Sequence, residues 1–188
     1  MSRRTLRVTD LVLRHGSSAS DAVRDLSFRL DEGDKVALIG RNGSGKTTLL
    51  SAIVGLIPIR SGEIEVCDEL VSHKTLSSVR RSAGFLFSVV DDQILFPKVF
   101  DDVLFGLRAS SRDVAESKAR EMMERLGIVE LADESPHRLS LGQRKRVALA
   151  GTLVTEPKLL LLDEPSGGLD PRGRCELARL LSDVDASM

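Results

Sequence analysis

The stretch GRNGSGKTTLL, residues 40–50, directly follows the apolar run Val36-Ala37-Leu38-Ile39. No other part of the chain limits the fold so tightly. Gly40, Gly45, Lys46 and Thr47 fit the spacing G-x-x-x-x-G-K-[ST]. Glycine lacks a Cβ, so successive backbone N–H groups can curl around an anion. A helix opening at Lys46 aims its positive end at the same anion. The pattern predicts a strand over KVALI buried on both faces, then a phosphate-cradling loop, then a helix. Gly40, Arg41, Asn42, Gly43, Ser44, Gly45, Lys46, Thr47 and Thr48 become candidate nucleotide ligands. Lys46 is expected to reach β- and γ-phosphates, and the Thr47 hydroxyl to ligate Mg²⁺.

A loop of this kind needs a second group on the metal side. LLLLDEP, residues 159–165, offers one. The leucines read as a buried strand, and Asp163 emerges at its end, where open α/β sheets bind ligands. Asp163 is the expected Mg²⁺ ligand. Glu164, one residue on, is placed to orient or deprotonate an attacking water.

Charge narrows the classes of partner. The chain carries 27 basic and 28 acidic residues for a net charge of −1. That gives no support to a nucleic-acid binder held by overall charge. Cys67 and Cys175 have neither metal-like nor redox spacing and read as reduced cytosolic thiols. The longest apolar stretch, residues 49–59, is interrupted by Ser51, Gly55 and Pro58 and falls short of the roughly 20 residues of a membrane span. The N-terminal MSRRTLRVTD lacks the apolar centre of a signal peptide. A membrane role would therefore need a separate membrane partner.

Elsewhere strand-like and helix-like runs alternate. RVTDLVLR and VRDLSFRL have period-2 patterning and predict an antiparallel pair. EIEV, GFLFSVV and KLLLLD read as further strands. SRDVAESKAREMMERLGI predicts a helix with Val114, Met122 and Leu126 on its apolar face and Gly127 near its end. LGQRKRVALAGTLV predicts another, N-capped by Ser140. PRGRCELARLLSDV places Pro171 in a first turn. Strands separated by helices imply an α/β fold with a largely parallel core sheet.

LSLGQ, residues 139–143, separates this chain from kinases and GTPases that share the first two motifs. It opens a basic helix, and SGGLD follows at residues 166–170. Here the sequence resembles the ATP-binding-cassette (ABC) ATPases, whose signature is LSGGQ. The order of phosphate loop, signature, acidic strand end and SGGLD turn matches over nearly the whole chain. The resemblance implies one ATP-binding domain over residues 1–188. It implies a P-loop NTPase fold with a parallel core sheet, an N-terminal antiparallel β subdomain, and an α-helical signature subdomain over about residues 92–155. It implies ATP and Mg²⁺ as cofactors, and a head-to-tail dimer with a second ATPase domain. In such a dimer Ser140, Gly142 and Gln143 would close over the partner's nucleotide.

A narrower resemblance lies in DDQILFPKVFDDVLFGL, residues 91–107. It is similar to energy-coupling-factor ATPases, particularly those of cobalt and nickel uptake. The implied role is the ATP-hydrolysing subunit of an importer for a transition metal ion or a vitamin. The implied place is the cytoplasmic face of the membrane, bound to transmembrane transporter subunits. The apolar residues of the segment 85–105, with Ile94, Leu95 and Val99, are expected to form a docking groove for a coupling helix.

Several positions depart from the family pattern. Where these ATPases carry a glutamine touching Mg²⁺ and water, this sequence has Ser88, unless Gln93 takes that role. Leu141 replaces a signature glycine, and its side chain is expected to point away from nucleotide. His15 stands roughly where an aromatic ring stacks on adenine. His15, His73 and His137 all lie too early to be the γ-phosphate histidine that follows the next strand in the family. The chain thus reads as a fragment or a natural truncation, with KLLLLD left as a bare sheet edge. Two functions remain open on these residues: a transport ATPase, favoured by Glu164, or a nucleotide-binding module that hydrolyses poorly, favoured by Ser88 and the missing histidine.

Overall fold

A computed structural model describes residues 4–14 and 20–188. They form two compact units: the described residues up to Phe85 with Pro157–Asp163 and Asp185–Met188, and Leu86–Glu156 with Glu164–Val184.

In the first unit β1 (Arg4–Arg14) pairs antiparallel with β2 (Asp21–Asp31), as the alternation predicted. On its other side β1 pairs with β3 (Ser61–Val66), which holds the short β4 (Glu69–Leu70), giving the order β2-β1-β3-β4. Leu6 and Val8 are buried, but so are Leu11 and Leu13, which have the opposite parity. A register shift between Val8 and Leu11 reconciles them, with Asp10 at φ 45°. Such a bulge inserts one residue and returns the apolar side chains to the core face.

The sheet packs against α1 (Lys46–Ile53) through Leu49, Ala52 and Ile53. The carbonyls at the end of α1 would otherwise lack partners. Arg80, on α2 (Leu76–Ser82), donates to Val54 O at 2.9 Å and Gly55 O at 3.1 Å. β5 (Ala83–Leu86) and β6 (Leu159–Leu162) make a two-stranded sheet, and Leu159 and Leu161 join the core.

KVALI, expected as a strand buried on both faces, is not one. Residues 35–39 run without regular structure, and Val36, Leu38 and Ile39 are 56%, 46% and 92% exposed. The reason lies in what flanks them. Ser187 forms a parallel bridge with Leu159, and its N–H and C=O bond Lys158 O and Leu160 N at 3.0 and 2.7 Å. Met188 donates to Asp34 O at 2.9 Å and accepts from Val36 N at 2.7 Å. These residues thus form rungs with the segment 158–160 on one side and residues 34–36 on the other. Leu38 and Ile39 lie past the last of these rungs. An apolar strand needs a neighbour along its length to bury its faces.

In the second unit α3 (Val99–Phe105), α4 (Arg112–Arg125) and α5 (Leu141–Leu153) pack on one another. α6 (Pro171–Ser182) carries Pro171 in its first turn, and its N-cap Asp170 accepts from Gly173 N at 2.7 Å. The α4 stripe differs from expectation. Ala115, Ala119, Met123 and Leu126 are buried, whereas Val114 is 49% exposed. Small alanines let the helix approach its neighbours closely, so they define the packed face although longer side chains dominate the sequence pattern. Gly127, at φ 63°, closes α4 as the sequence implied. Among the described residues no helix is long and apolar enough to cross a membrane.

Candidate nucleotide-binding site

The glycine-rich loop meets α1 through Gly45, which sits at φ 91° as the helix N-cap. A Cβ there would stand 2.6 Å from Ala22 O, so both conformation and space require glycine. Ser44 N bonds Arg41 O at 3.1 Å, and Gly43 is at φ 77°. Lys46 turns back over the loop, its Nζ donating to Gly40 O at 2.9 Å and Arg41 O at 3.0 Å. Thr48 is buried beneath the first turn.

The two predicted metal-side groups, 116 residues apart in sequence, are in direct contact. Thr47 Oγ1 donates to Asp163 Oδ2 at 2.8 Å. Asp163 is 4% exposed at the end of β6. A hydroxyl and a carboxylate side by side suit Mg²⁺, which takes hard oxygen ligands and completes its shell with water and substrate phosphate. Among the described residues no group of three or more His, Cys, Asp or Glu gathers as a metal cage. His15, expected near adenine, lies outside the described residues.

The signature residues form a complete capping box. Ser140 Oγ accepts from Gln143 N at 3.3 Å, and Gln143 Oε1 accepts from Ser140 N at 2.8 Å. Leu141 lies over Gly168, where an added Cβ would come within 2.7 Å of Leu141 Cδ2. The side chain that replaces a signature glycine is thus packed on the SGGLD turn. Gly142 also faces that turn, near Leu169.

Ser88 is exposed in the bend after β5. Gln93 has its amide engaged: Oε1 accepts from Phe87 N at 3.0 Å and Nε2 donates to Thr152 Oγ1 at 2.9 Å. That braces the loop 87–93 against α5.

Glu164 follows Asp163 with φ 46°, an unusual backbone for a residue with a Cβ. Its C=O closes a turn by accepting from Gly167 N at 3.0 Å. Lys145 donates to the same oxygen at 3.2 Å and to Pro165 O at 2.8 Å. Burial pulls the Lys145 ammonium below the ordinary lysine range, against the attraction of the Glu164 carboxylate. The sequence reading noted a basic helix here and missed this residue. The signal was there: Lys145 stands three and four residues before the buried Ala148 and Leu149, on the face that packs inward.

Asp102 was also missed. Its Oδ1 accepts from Leu95 N at 2.8 Å and Phe96 N at 3.2 Å, fastening the segment before α3. Burial raises its carboxyl above the ordinary aspartate value, opposed by those two N–H groups. A carboxyl that binds its proton more tightly when folded loses stability as pH rises from the unfolded value, about 3.9, through the raised folded one. Asp102→Asn keeps the accepting oxygen and removes the titration. Its stability–pH curve should be flatter than wild type just above pH 4. Superimposable curves from urea melts would exclude this role for the Asp102 charge.

A profile described as ABC transporter matches residues 23–167, most of the chain. The chain belongs to the ABC transporter family. This ABC domain is 37% identical to the energy-coupling factor transporter ATP-binding protein EcfA of Methanosphaera stadtmanae, over 96% of this chain and 66% of that protein. It is 42% identical to EcfA2 of Bacillus licheniformis, over 83% of this chain and 56% of that one. It thus spans about two thirds of the first of these relatives and just over half of the second. Among solved structures, cbiO1 of Clostridium perfringens, described as part of the ABC transporter complex cbiONQ, superposes with TM-score 0.85. Identity there is 34%, covering 98% of this chain and 76% of that one. The ABC transporter cassette MJ0796, solved as a dimer, gives 0.83 at 25% identity, covering 97% and 85%. The α/β ABC-ATPase fold read from the motifs is the fold these structures share.

Proposed function

We propose that this chain, as one ATP-binding domain, is the ATP-binding and ATP-hydrolysing part of an energy-coupling-factor importer. The observation that carries the proposal is the Thr47–Asp163 hydrogen bond, which puts the loop hydroxyl beside the carboxylate at the end of β6. Lys46 and the N–H groups of residues 43–48 would hold the phosphates. Thr47 and Asp163 would hold Mg²⁺, which supplies charge neutralisation at the transferring phosphoryl group. Glu164 accepts the proton of the attacking water, whose oxygen bonds to the γ-phosphorus as the bond to the ADP oxygen breaks. Ser88, exposed after β5, is kept as a candidate ligand of the same ion.

EcfA-type relatives, named as energy-coupling factor transporter proteins, and cbiO1, part of an ABC transporter complex, support a transporter subunit. The import direction, a cobalt or nickel ion or a vitamin as cargo, and work at the cytoplasmic face of a membrane with transmembrane subunits are this reading's own extension, from the resemblance of residues 91–107. The dimeric cassette supports pairing with a second ATPase domain. That pairing is proposed to be head to tail, with Ser140, Gly142 and Gln143 capping the partner's ATP. No nucleic-acid partner is proposed. Within the expected docking segment 85–105, Phe96, Leu104 and Phe105 line, with Arg108, a cavity of about 470 Å³ that we take as the coupling site, whereas Val99, expected to face the groove, is buried. Leu95 is 72% exposed beside it.

A photo-cross-linker at Asp91 tests this in cells. The expected product is a covalent pair with an integral membrane subunit, lost when Phe105→Asp is added. Products with soluble proteins alone would contradict the importer reading. The alternative, a module that binds ATP and hydrolyses it poorly, is favoured by Ser88 and predicts stoichiometric ATP binding without phosphate release.

A further inference from the structure

We propose that Lys145 is a positioning residue for Glu164, fixing the backbone that carries the carboxylate and tying it to the helix that opens at Ser140. The inference rests on the reading of Glu164 as general base.

Lys145 is 3% exposed on the inner face of α5, beside Val147, Ala148 and Leu149. An apolar residue would fill that place at no electrostatic cost, whereas a buried ammonium must be satisfied by hydrogen bonds. Lys145 spends two of its three donors on main-chain oxygens, Glu164 O and Pro165 O. The orientation of Glu164 C=O sets ψ of Glu164, and that of Pro165 C=O sets ψ of the next residue. The ammonium therefore holds two successive peptide planes at the point where the chain is left-handed, at φ 46°. A left-handed non-glycine residue persists only when its surroundings over-determine it. Here two donors converge on one oxygen, Gly167 N–H and Lys145 Nζ.

The same lysine begins the second turn of the helix whose first turn is closed by the Ser140–Gln143 capping box. Movement of the helix start is transmitted to Glu164 through one side chain. Lys145 thus couples anion capture at Ser140 to the direction of the Glu164 carboxylate.

The test uses the 188-residue chain as Lys145→Met, Lys145→Gln, Glu164→Gln and the Glu164→Gln/Lys145→Met pair. Phosphate release is followed in single turnovers, with protein in excess over radiolabelled ATP. Amide exchange at Gly167 is followed in parallel. Lys145→Met should slow release about tenfold to a hundredfold, because small misplacements of a catalytic group cost that much. ATP affinity should stay within about twofold, the signature of a group acting on the reaction alone. Gly167 should exchange about tenfold faster. Lys145→Gln keeps two N–H donors and should restore most of both. Added to Glu164→Gln, Lys145→Met should cost nothing more.

Wild-type release with a protected Gly167 in Lys145→Met would overturn the proposal. So would Lys145→Gln failing as fully as Lys145→Met, which would mark a packing role. If Glu164→Gln itself releases phosphate normally, the general-base reading falls and this inference with it. If Glu164→Gln is inactive and Lys145→Met is normal, only the inference falls. Should Lys145→Met not fold, Lys145→Gln decides: near-normal release with Gly167 protected supports the proposal, and lost release with Gly167 protected overturns it.

Discussion

Replacing Glu164 with glutamine should cut ATP hydrolysis about 10²–10⁴-fold, the range typical of removing a general base. Nucleotide affinity should be unchanged or improved. Glutamine has nearly the shape of glutamate but no basic carboxylate, so it cannot take the proton of the attacking water. It keeps the C=O that bonds Lys145 and Gly167, so the turn from Glu164 to Gly167 should survive. Asp163 and Thr47 remain in contact, so the metal-side pair is not disturbed. The measurement is phosphate release alongside equilibrium binding of ATP. Loss of release with binding retained is the expected pair. Equal release by Glu164→Gln and wild type would move the base elsewhere. Equal absence of release in both would favour the binding module over the ATPase.

What was legible in the sequence is instructive. The glycine-rich turn into α1, the Ser140 cap, the Pro171 start of α6 and the β1–β2 pair follow from local chemistry, and the structure has each of them. Local signals also named the Thr47–Asp163 pair, because each residue follows a motif with one geometric use. KVALI went wrong because strand formation is not local. Its apolar run is real, but a run becomes a strand only where neighbours supply hydrogen bonds, and here the rungs are made by Ser187 and Met188. The α4 face was misjudged because alanine carries little weight in a pattern yet decides how closely helices pack. Lys145 and Asp102 escaped because their partners are main-chain atoms, which no side-chain spacing reveals. Leu141 was expected to turn away from nucleotide; its packing on Gly168 shows where the side chain goes.

The central claim is that residues 40–48 bind the phosphates of ATP, and Lys46→Ala tests it most directly. The Lys46 ammonium already lies over the loop, held by Gly40 O and Arg41 O. It needs only to exchange those carbonyls for phosphate oxygens. A hydrogen bond from a charged donor contributes about 1.5–3 kcal/mol, so its removal should weaken binding about tenfold to a hundredfold. The mutation also removes two bonds to the loop's own carbonyls. Both are near the surface, so Tm should fall little and the loss should appear in binding. Titration calorimetry of wild type and Lys46→Ala with ATP and Mg²⁺, with a thermal melt of each, is the measurement. The account predicts one ATP per wild-type chain, and at least about tenfold weaker binding by a variant that remains folded. Equal affinity in two well-folded proteins would contradict it.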